Sequence, residues 1–188
     1  AAFILRKKIF IQEQNSYPGI TTRLFAKFSK RCYLAFKDAI THLNLTDEQY
    51  KIVLTPIRDE FFEIKYKEEK SLVLAVGGSQ GSAILNDILF KTLDFFKENN
   101  LKLIWITGKK YFEQYKHLNS NSIEILEYSN DIYAYMQRAE IIISRAGATS
   151  IAEYSILSKK ALFIPFAAAT HNHQFFNAKS FAAENIAE

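Results

Sequence analysis

Residues Leu72-Val73-Leu74-Ala75-Val76-Gly77-Gly78-Ser79-Gln80-Gly81-Ser82 set an apolar run directly against a glycine-rich turn. A helical pattern follows at once, with Ile84, Leu85, Ile88, Leu89, Leu93 and Phe96 expected on one buried face. A buried strand, a glycine loop and a helix in immediate succession commit the chain to α/β architecture. The same succession makes an anion site: loop amides and the positive helix end point at one spot, and glycine lets a ligand approach the backbone. The lysine of a P-loop is missing, and so is the G-x-G-x-x-G spacing of dinucleotide folds. A tight strand-to-helix turn with no ligand is the competing reading.

The rest of the chain repeats the alternation. Strands are expected at Ile9–Ile11, Tyr33–Phe36, Ile52–Leu54, Leu101–Thr107, Ile123–Leu126, Ile141–Ile143 and Ala161–Ile164. Helices are expected after Pro18, over Asp131–Arg138, from Gly147 through Leu157, and from Asn172 onward. The first carries Ile20, Leu24, Phe25 and Phe28 as its apolar stripe, with Arg23 and Lys27 outside. Residues 37–50 are weakly patterned, and Lys65–Lys70 reads as a solvated charged loop. Alternating strands and helices predict parallel sheets covered on both faces, with ligands held outside the carboxyl ends of the strands.

Four polar clusters fall at such ends. Gly77–Gly81 is the first. The second, Ser144–Glu153, has two readings: Ser150 and Glu153 fit a capping box, or Glu153 accepts hydrogen bonds from a sugar diol. In the third, Ala167–Gln174, His171 and His173 do not share a helix face and no third metal ligand is evident, so hydrogen bonding or capping is expected and no metal site. In the fourth, Gln12–Asn15, Glu13 is a candidate general base or a capping carboxylate. Arg58, after Pro56, is a surface residue or an anion contact.

Composition narrows the class. The chain has 188 residues, 48% of them hydrophobic, enough for one sizeable core or more. A formal net charge of +4 gives little support for nucleic-acid binding. The one cysteine excludes an internal disulfide framework and fits a reducing compartment. No apolar stretch has the length of a membrane span, and the opening Ala-Ala-Phe-Ile-Leu-Arg-Lys-Lys lacks the order of a signal peptide. Arg23, Lys27, Lys30, Arg31 and Lys37, interleaved with Leu24, Phe25 and Phe28, form a solvated basic face or a contact for an anionic membrane. With no initiator methionine and an end in helical pattern, the sequence reads as part of a longer protein.

Taken in order, these clusters resemble the MurG family. Gln12-Glu-Gln-Asn15 is similar to its His-Glu-Gln-Asn segment, and Thr55-Pro-Ile-Arg58 to its Asn-Pro-Val-Arg. Gly77-Gly-Ser-Gln-Gly81 matches its glycine loop, and Ser144–Glu153 resembles its Arg-Ser-Gly-Ala…Glu stretch. Pro165-Phe166…Asn172-His-Gln174…Asn177-Ala178 resembles the segment after it.

The resemblance implies a GT-B fold, with two Rossmann-like domains and a cleft between them. Residues 1–55 would end the acceptor-binding domain, and 56–188 would be most of the UDP-GlcNAc-binding domain. It implies inverting transfer of N-acetylglucosamine from UDP-GlcNAc to undecaprenyl-pyrophosphoryl-MurNAc-pentapeptide, at the inner face of the cytoplasmic membrane, with no cofactor and no nucleic acid. Glu153 would hold the ribose. Gly78, Ser79, Gln80 and Gly81 would face the diphosphate, joined by Ala148, Thr149 and Ser150 at a helix start. Ser129 would lie at the uracil, Gln174, Asn15 and Arg58 would approach the sugar nucleotide, and Glu13 would be the candidate catalytic group.

The family's Gly-Thr-Gly-Gly-His segment is absent, Gln12 replaces its histidine, and the end of the second domain is missing, so these residues alone are expected to be inactive. A UDP-GlcNAc epimerase, another GT-B transferase and a non-catalytic UDP-sugar-binding remnant are the alternatives.

Overall fold

The strands of this chain run parallel to their neighbours in two separate sheets. The computed structural model describes residues 5–78, 80–166 and 172–183. In chain order the elements are β1 (Phe10–Glu13), α1 (Ile20–Phe25), β2 (Arg31–Leu34), β3 (Tyr50–Ile52), β4 (Leu72–Val76), α2 (Ala83–Lys91), α3 (Leu93–Glu98), β5 (Lys102–Ile106), α4 (Phe112–Tyr115), β6 (Ile123–Leu126), α5 (Ile132–Arg138), β7 (Ile141–Ser144), α6 (Ala148–Ile156), β8 (Lys160–Phe163) and α7 (His173–Ala183). The parallel α/β architecture is the one the alternation predicts.

Two units divide these elements. The first comprises residues 1–57, 146–152 and 166–184, and the second 58–145, 153–165 and 185–188. The first unit holds the sheet β1-β2-β3 over a small core of Ala26, Cys32, Leu34, Ala39 and Leu43. The second holds the sheet β6-β5-β4-β7-β8. One face of that sheet carries a core of Val73, Ala75, Leu103, Trp105, Ile123 and Ile125 beneath Leu85, Leu89, Leu93 and Phe96. Each buried Val, Leu, Ile or Phe here contributes about 1.5–3 kcal/mol, so this face is a large source of stability.

Several expectations need correction. Ile84 and Ile88 do not share the buried face of α2, being 48% and 39% exposed. Asn86 is buried in their stead: its Oδ1 accepts from Trp105 Nε1 at 2.9 Å and its Nδ2 donates to the Thr107 carbonyl at 3.1 Å. A polar residue can take that position because the tryptophan and the strand end each need a hydrogen-bond partner.

The expected stripe is not buried: Ile20, Leu24 and Phe25 of α1 and Phe28 beyond it are exposed, Lys27 is exposed as expected, and the buried residue is Ala26 in the 3-10 turn that follows α1. The helix begins two residues after Pro18, and Arg23 turns back to Tyr17, donating to its hydroxyl and stacking over its ring. Residues 37–50 contain 3-10 turns at Lys37–His42 and Asp47–Gln49, the latter closed by a capping box on Thr46. β3 starts at Tyr50 rather than Ile52, and β1 extends through Glu13. The charged run 65–70 is not a free loop but is tied to α5, and to Lys159 just before β8, by side-chain bonds.

Candidate functional site

The glycine loop follows β4, the middle strand of the five-stranded sheet. Its Gly81 amide donates to the Gly78 carbonyl at 2.9 Å, closing a tight turn. Ser82 then caps α2, its Oγ accepting from the Leu85 amide at 3.4 Å. Gly81 (φ +74°) and Gly108 (φ +83°) pack back to back, and a Cβ on Gly108 would lie 2.5 Å from Gly81 Cα. A Cβ on Gly81 would lie 2.4 Å from the Thr107 carbonyl oxygen. These two glycines are therefore required by packing alone. Gly78 differs: its φ is also positive at +83°, yet a Cβ there would meet nothing within 4 Å. The outer side of the turn is open, as a ligand cradle needs. Gln80 is exposed, and Ser79 lies outside the described residues.

β7 pairs directly with β4, Val76 against Ser144. The loop after β4 and residues Ser144 and Arg145 are thus neighbours at one sheet edge. Burial pushes the Arg145 guanidinium below its ordinary value, a sign of a cation held in a partly dry place. Helix α6 begins at Ala148, with the Ile151 amide donating to the Gly147 carbonyl. That start settles the capping question: Ser150 lies in the first turn and is no N-cap, so the Ser150–Glu153 capping box does not form. Ala148 and Ser150 are half-buried and Thr149 is exposed.

Glu153 is half-buried on the second turn of α6. Among the described residues its carboxylate has no hydrogen-bond partner. Desolvation raises its pKa above the usual carboxylate range, and the Arg58 charge pulls it partly back. Arg58 is exposed, stacks 5.3 Å over the buried Phe61 ring, and pairs with Glu60 at 3.5 Å. Ser129 caps the turn before α5, its Oγ accepting from the Asp131 amide at 3.1 Å. Among the described residues no group of three His, Cys, Asp or Glu side chains is arranged to hold a metal ion.

The first unit treats its candidates differently. Glu13 is only 6% exposed. Its Oε1 accepts from the amide and side chain of Asn15, at 3.0 and 3.3 Å, and its Oε2 accepts from the Gly19 amide at 3.0 Å. Asn15 Oδ1 accepts in turn from Asn177 Nδ2 at 3.1 Å. Asn177 is fully buried; its Nδ2 also reaches the Ala146 carbonyl, and its Oδ1 accepts from the Ser16 amide at 2.8 Å. Gln174 Oε1 accepts from the Phe166 amide at 2.9 Å. A pocket of about 290 Å³ opens beside these loops, lined by Asn15, Tyr17, Pro18, Gly19, Thr21 and His173 among others. His171 lies outside the described residues. The hub role of Asn177 was not singled out from sequence, where it stood only as part of the segment that resembles the family.

The parallel sheets and the adjacent junctions at one sheet edge define a Rossmann-like α/β protein, and its family match and superpositions make that fold the GT-B type. Residues 72–188 match the model of the glycosyltransferase family 28 C-terminal domain, and the chain belongs to that family. A relative from Flavobacterium psychrophilum, named UDP-N-acetylglucosamine--N-acetylmuramyl-(pentapeptide) pyrophosphoryl-undecaprenol N-acetylglucosamine transferase, is 33% identical over 95% of this chain and 52% of its own length. The chain spans about half the length of the curated relatives it matches. The crystal structure of Acinetobacter baumannii MurG superposes with a TM-score of 0.80 at 24% identity, over 100% of this chain and 54% of that one. A Neisseria meningitidis UDP-GlcNAc 2-epimerase bound to UDP-GlcNAc has a TM-score of 0.59 at 13% identity, over 86% of this chain and 53% of that one. These two structures support the fold.

Proposed function

We propose that this chain carries the sugar-nucleotide-binding part of an inverting hexosyltransferase. In this reading N-acetylglucosamine passes from UDP-GlcNAc to undecaprenyl-pyrophosphoryl-MurNAc-pentapeptide, turning lipid I into lipid II in peptidoglycan synthesis, at the cytoplasmic face of the membrane. The names of its 33%-identical relatives supply the substrates. The single observation that carries the site is the Glu153 carboxylate, half-buried and without a hydrogen-bond donor among the described residues. A ribose diol brings two hydroxyl donors to one carboxylate, which is the complement Glu153 lacks.

The other parts follow from charge. The open Gly78 turn and the start of α2 offer amides and a positive helix end to the diphosphate. Gln80 and Gly81 extend that cradle, Ser129 marks the place of the base, and the amides of Ala148–Ser150 at the start of α6 offer the same kind of anion contact. The acceptor hydroxyl attacks the anomeric carbon and gives its proton to a base, the bond to the diphosphate oxygen breaks, and UDP leaves from the opposite face. Stabilising that leaving diphosphate with fixed amides needs no cofactor. As proton acceptor, Glu13 would have to surrender the three hydrogen bonds its oxygens accept, so we assign it, with Asn15 and Gln174, to holding loops of the first unit.

Hydrogen exchange with and without UDP-GlcNAc tests the assignment. Protection is expected at 77–82 and 145–153. Protection confined to residues 5–57 overturns it. Transfer to a lipid acceptor by a longer form of the protein, with no inversion at the sugar C2, separates this reading from an epimerase.

A further inference from the structure

The charged linker between Arg58 and β4 is held far more tightly than its composition suggests. Gln137, buried on the inner face of α5, uses three hydrogen bonds on it. Its Oε1 accepts from the Lys65 and Tyr66 amides, both at 2.9 Å, and its Nε2 donates to the Glu63 carbonyl at 2.7 Å. The Tyr133 hydroxyl, one turn earlier, donates to the same Glu63 carbonyl. The Tyr133 ring meets Phe61 edge-on, with centroids 5.5 Å apart, and Phe61 is 1% exposed. Arg58 lies across the other part of this plug, 5.3 Å from the Phe61 centroid, in a turn closed by the Phe61 amide on the Arg58 carbonyl. Further on, Glu69 pairs with Arg138 and Glu68 with the buried Lys159, both at 2.6 Å.

A solvated linker has no use for such a clamp. Tyr133 of the clamp packs on Phe61, and Arg58 stacks on the same ring; the Arg58 charge is the one that pulls the Glu153 carboxyl down among the described residues. Exposed arginines are otherwise free to swing, and the Arg58–Glu60 pair alone is too exposed to hold one.

We propose that Gln137 is a positioning residue: with Tyr133 it clamps residues 63–66 so that Arg58, stacked on Phe61, is held toward the carboxylate of Glu153. The clamp shares α5 with the Ser129–Asp131 turn at its start, so one helix sets both the proposed base contact and the cation beside the proposed ribose contact.

The test reads Glu153 directly, with carbon-13 NMR titration of its carboxyl in the 188-residue chain. Arg58→Ala is expected to raise its midpoint, because an attractive charge is lost. Gln137→Met is expected to raise it in the same direction, and to raise it no further in the Arg58→Ala background. Tyr133→Phe, which keeps the ring and drops one hydroxyl, gives a smaller rise and covers the case in which Gln137→Met does not fold. A midpoint unmoved by both clamp variants overturns the proposal, as does a full second shift in the double variant. Calorimetric titration with UDP-GlcNAc adds a ligand arm that rests on the function proposed above. About fivefold weaker binding is expected for Gln137→Met, with no added loss in the Arg58→Ala background. If the unmodified chain binds no UDP-GlcNAc, the functional reading fails, while the Glu153 titration still decides the clamp.

Discussion

Glu13 and Glu153 are both acidic residues singled out from sequence as candidate chemistry, and their surroundings are opposite. In the first unit, Glu13 is nearly fully buried and takes three donors, two from Asn15 and one from the Gly19 amide. In the second unit, Glu153 is half-buried and takes none among the described residues, while desolvation raises its pKa. A carboxylate whose acceptor sites are filled by its own loop holds a fold together. One left desolvated and unfilled costs stability and is retained where a ligand completes it.

The largest effect expected from this contrast is on folding. Glu13→Ala removes a buried acceptor and strands the Asn15 and Gly19 amides, so a loss of about 3 kcal/mol is expected in denaturant unfolding. A loss below about 1 kcal/mol would show the loop holding itself, and would return Glu13 to candidacy as a proton acceptor. Glu153→Ala is expected to do the reverse. Binding of UDP-GlcNAc should fall about tenfold, roughly 1.4 kcal/mol, as the diol contact is lost. The unfolding midpoint should stay within about 0.5 kcal/mol of the parent chain. Unchanged binding with a marked stability loss would erase the distinction between the two carboxylates.

The pH dependence of binding sharpens the same point. A ribose diol donates, so Glu153 must be ionised to accept both hydroxyls. Its raised pKa means that it takes up a proton at a higher pH than an ordinary glutamate does. UDP-GlcNAc affinity is expected to weaken as pH falls through that raised value, and Glu153→Gln should remove that part of the pH profile. Calorimetric Kd values across mildly acidic to neutral pH decide it; a profile identical in the two proteins would detach Glu153 from the ligand.

How much of this was legible in the sequence depends on which forces fixed each element. The strands around β4 were carried by apolar runs bounded by turn residues, and strands such as Lys102–Ile106 and Ile141–Ser144 fall where that pattern puts them, although their order in the sheet had no such signal. The face of α2 was misread because periodicity counts apolar residues and cannot see that Trp105 and Thr107 need a polar partner, which Asn86 supplies. The α1 stripe failed for a related reason: Ala26 fills the close contact, and the larger side chains are left outside. At the site, the glycine loop was readable as a strand-to-helix turn, whereas residue type and spacing left Glu153 between a capping box and a sugar diol. The capping box was equally well written in Ser150 and Glu153, and only the true helix start at Ala148 rules it out. The Gln137 clamp had no local signal, since its partners are backbone groups about seventy residues away in the chain.

The smallest expected effect tests whether the unfilled state of Glu153 has a cost. Because its pKa is raised on folding, the native chain binds more protons than the unfolded chain between the ordinary glutamate value and the raised one. The contribution of Glu153 to stability is then fully present below the unfolded pKa and is lost as pH rises through the folded one. At neutral pH the ionised carboxylate is a net liability, which Glu153→Gln relieves without changing the side chain's shape. A gain of a few tenths of a kcal/mol is expected at pH 7, shrinking toward zero in acid. Glu13→Gln should show no such gain, since its oxygens are already matched by donors and an amide nitrogen would face one of them. Paired unfolding curves of the two glutamine variants at pH 7 and in acid measure the contrast. Stabilisation by Glu13→Gln, or destabilisation by Glu153→Gln, would reverse the roles assigned to the two carboxylates.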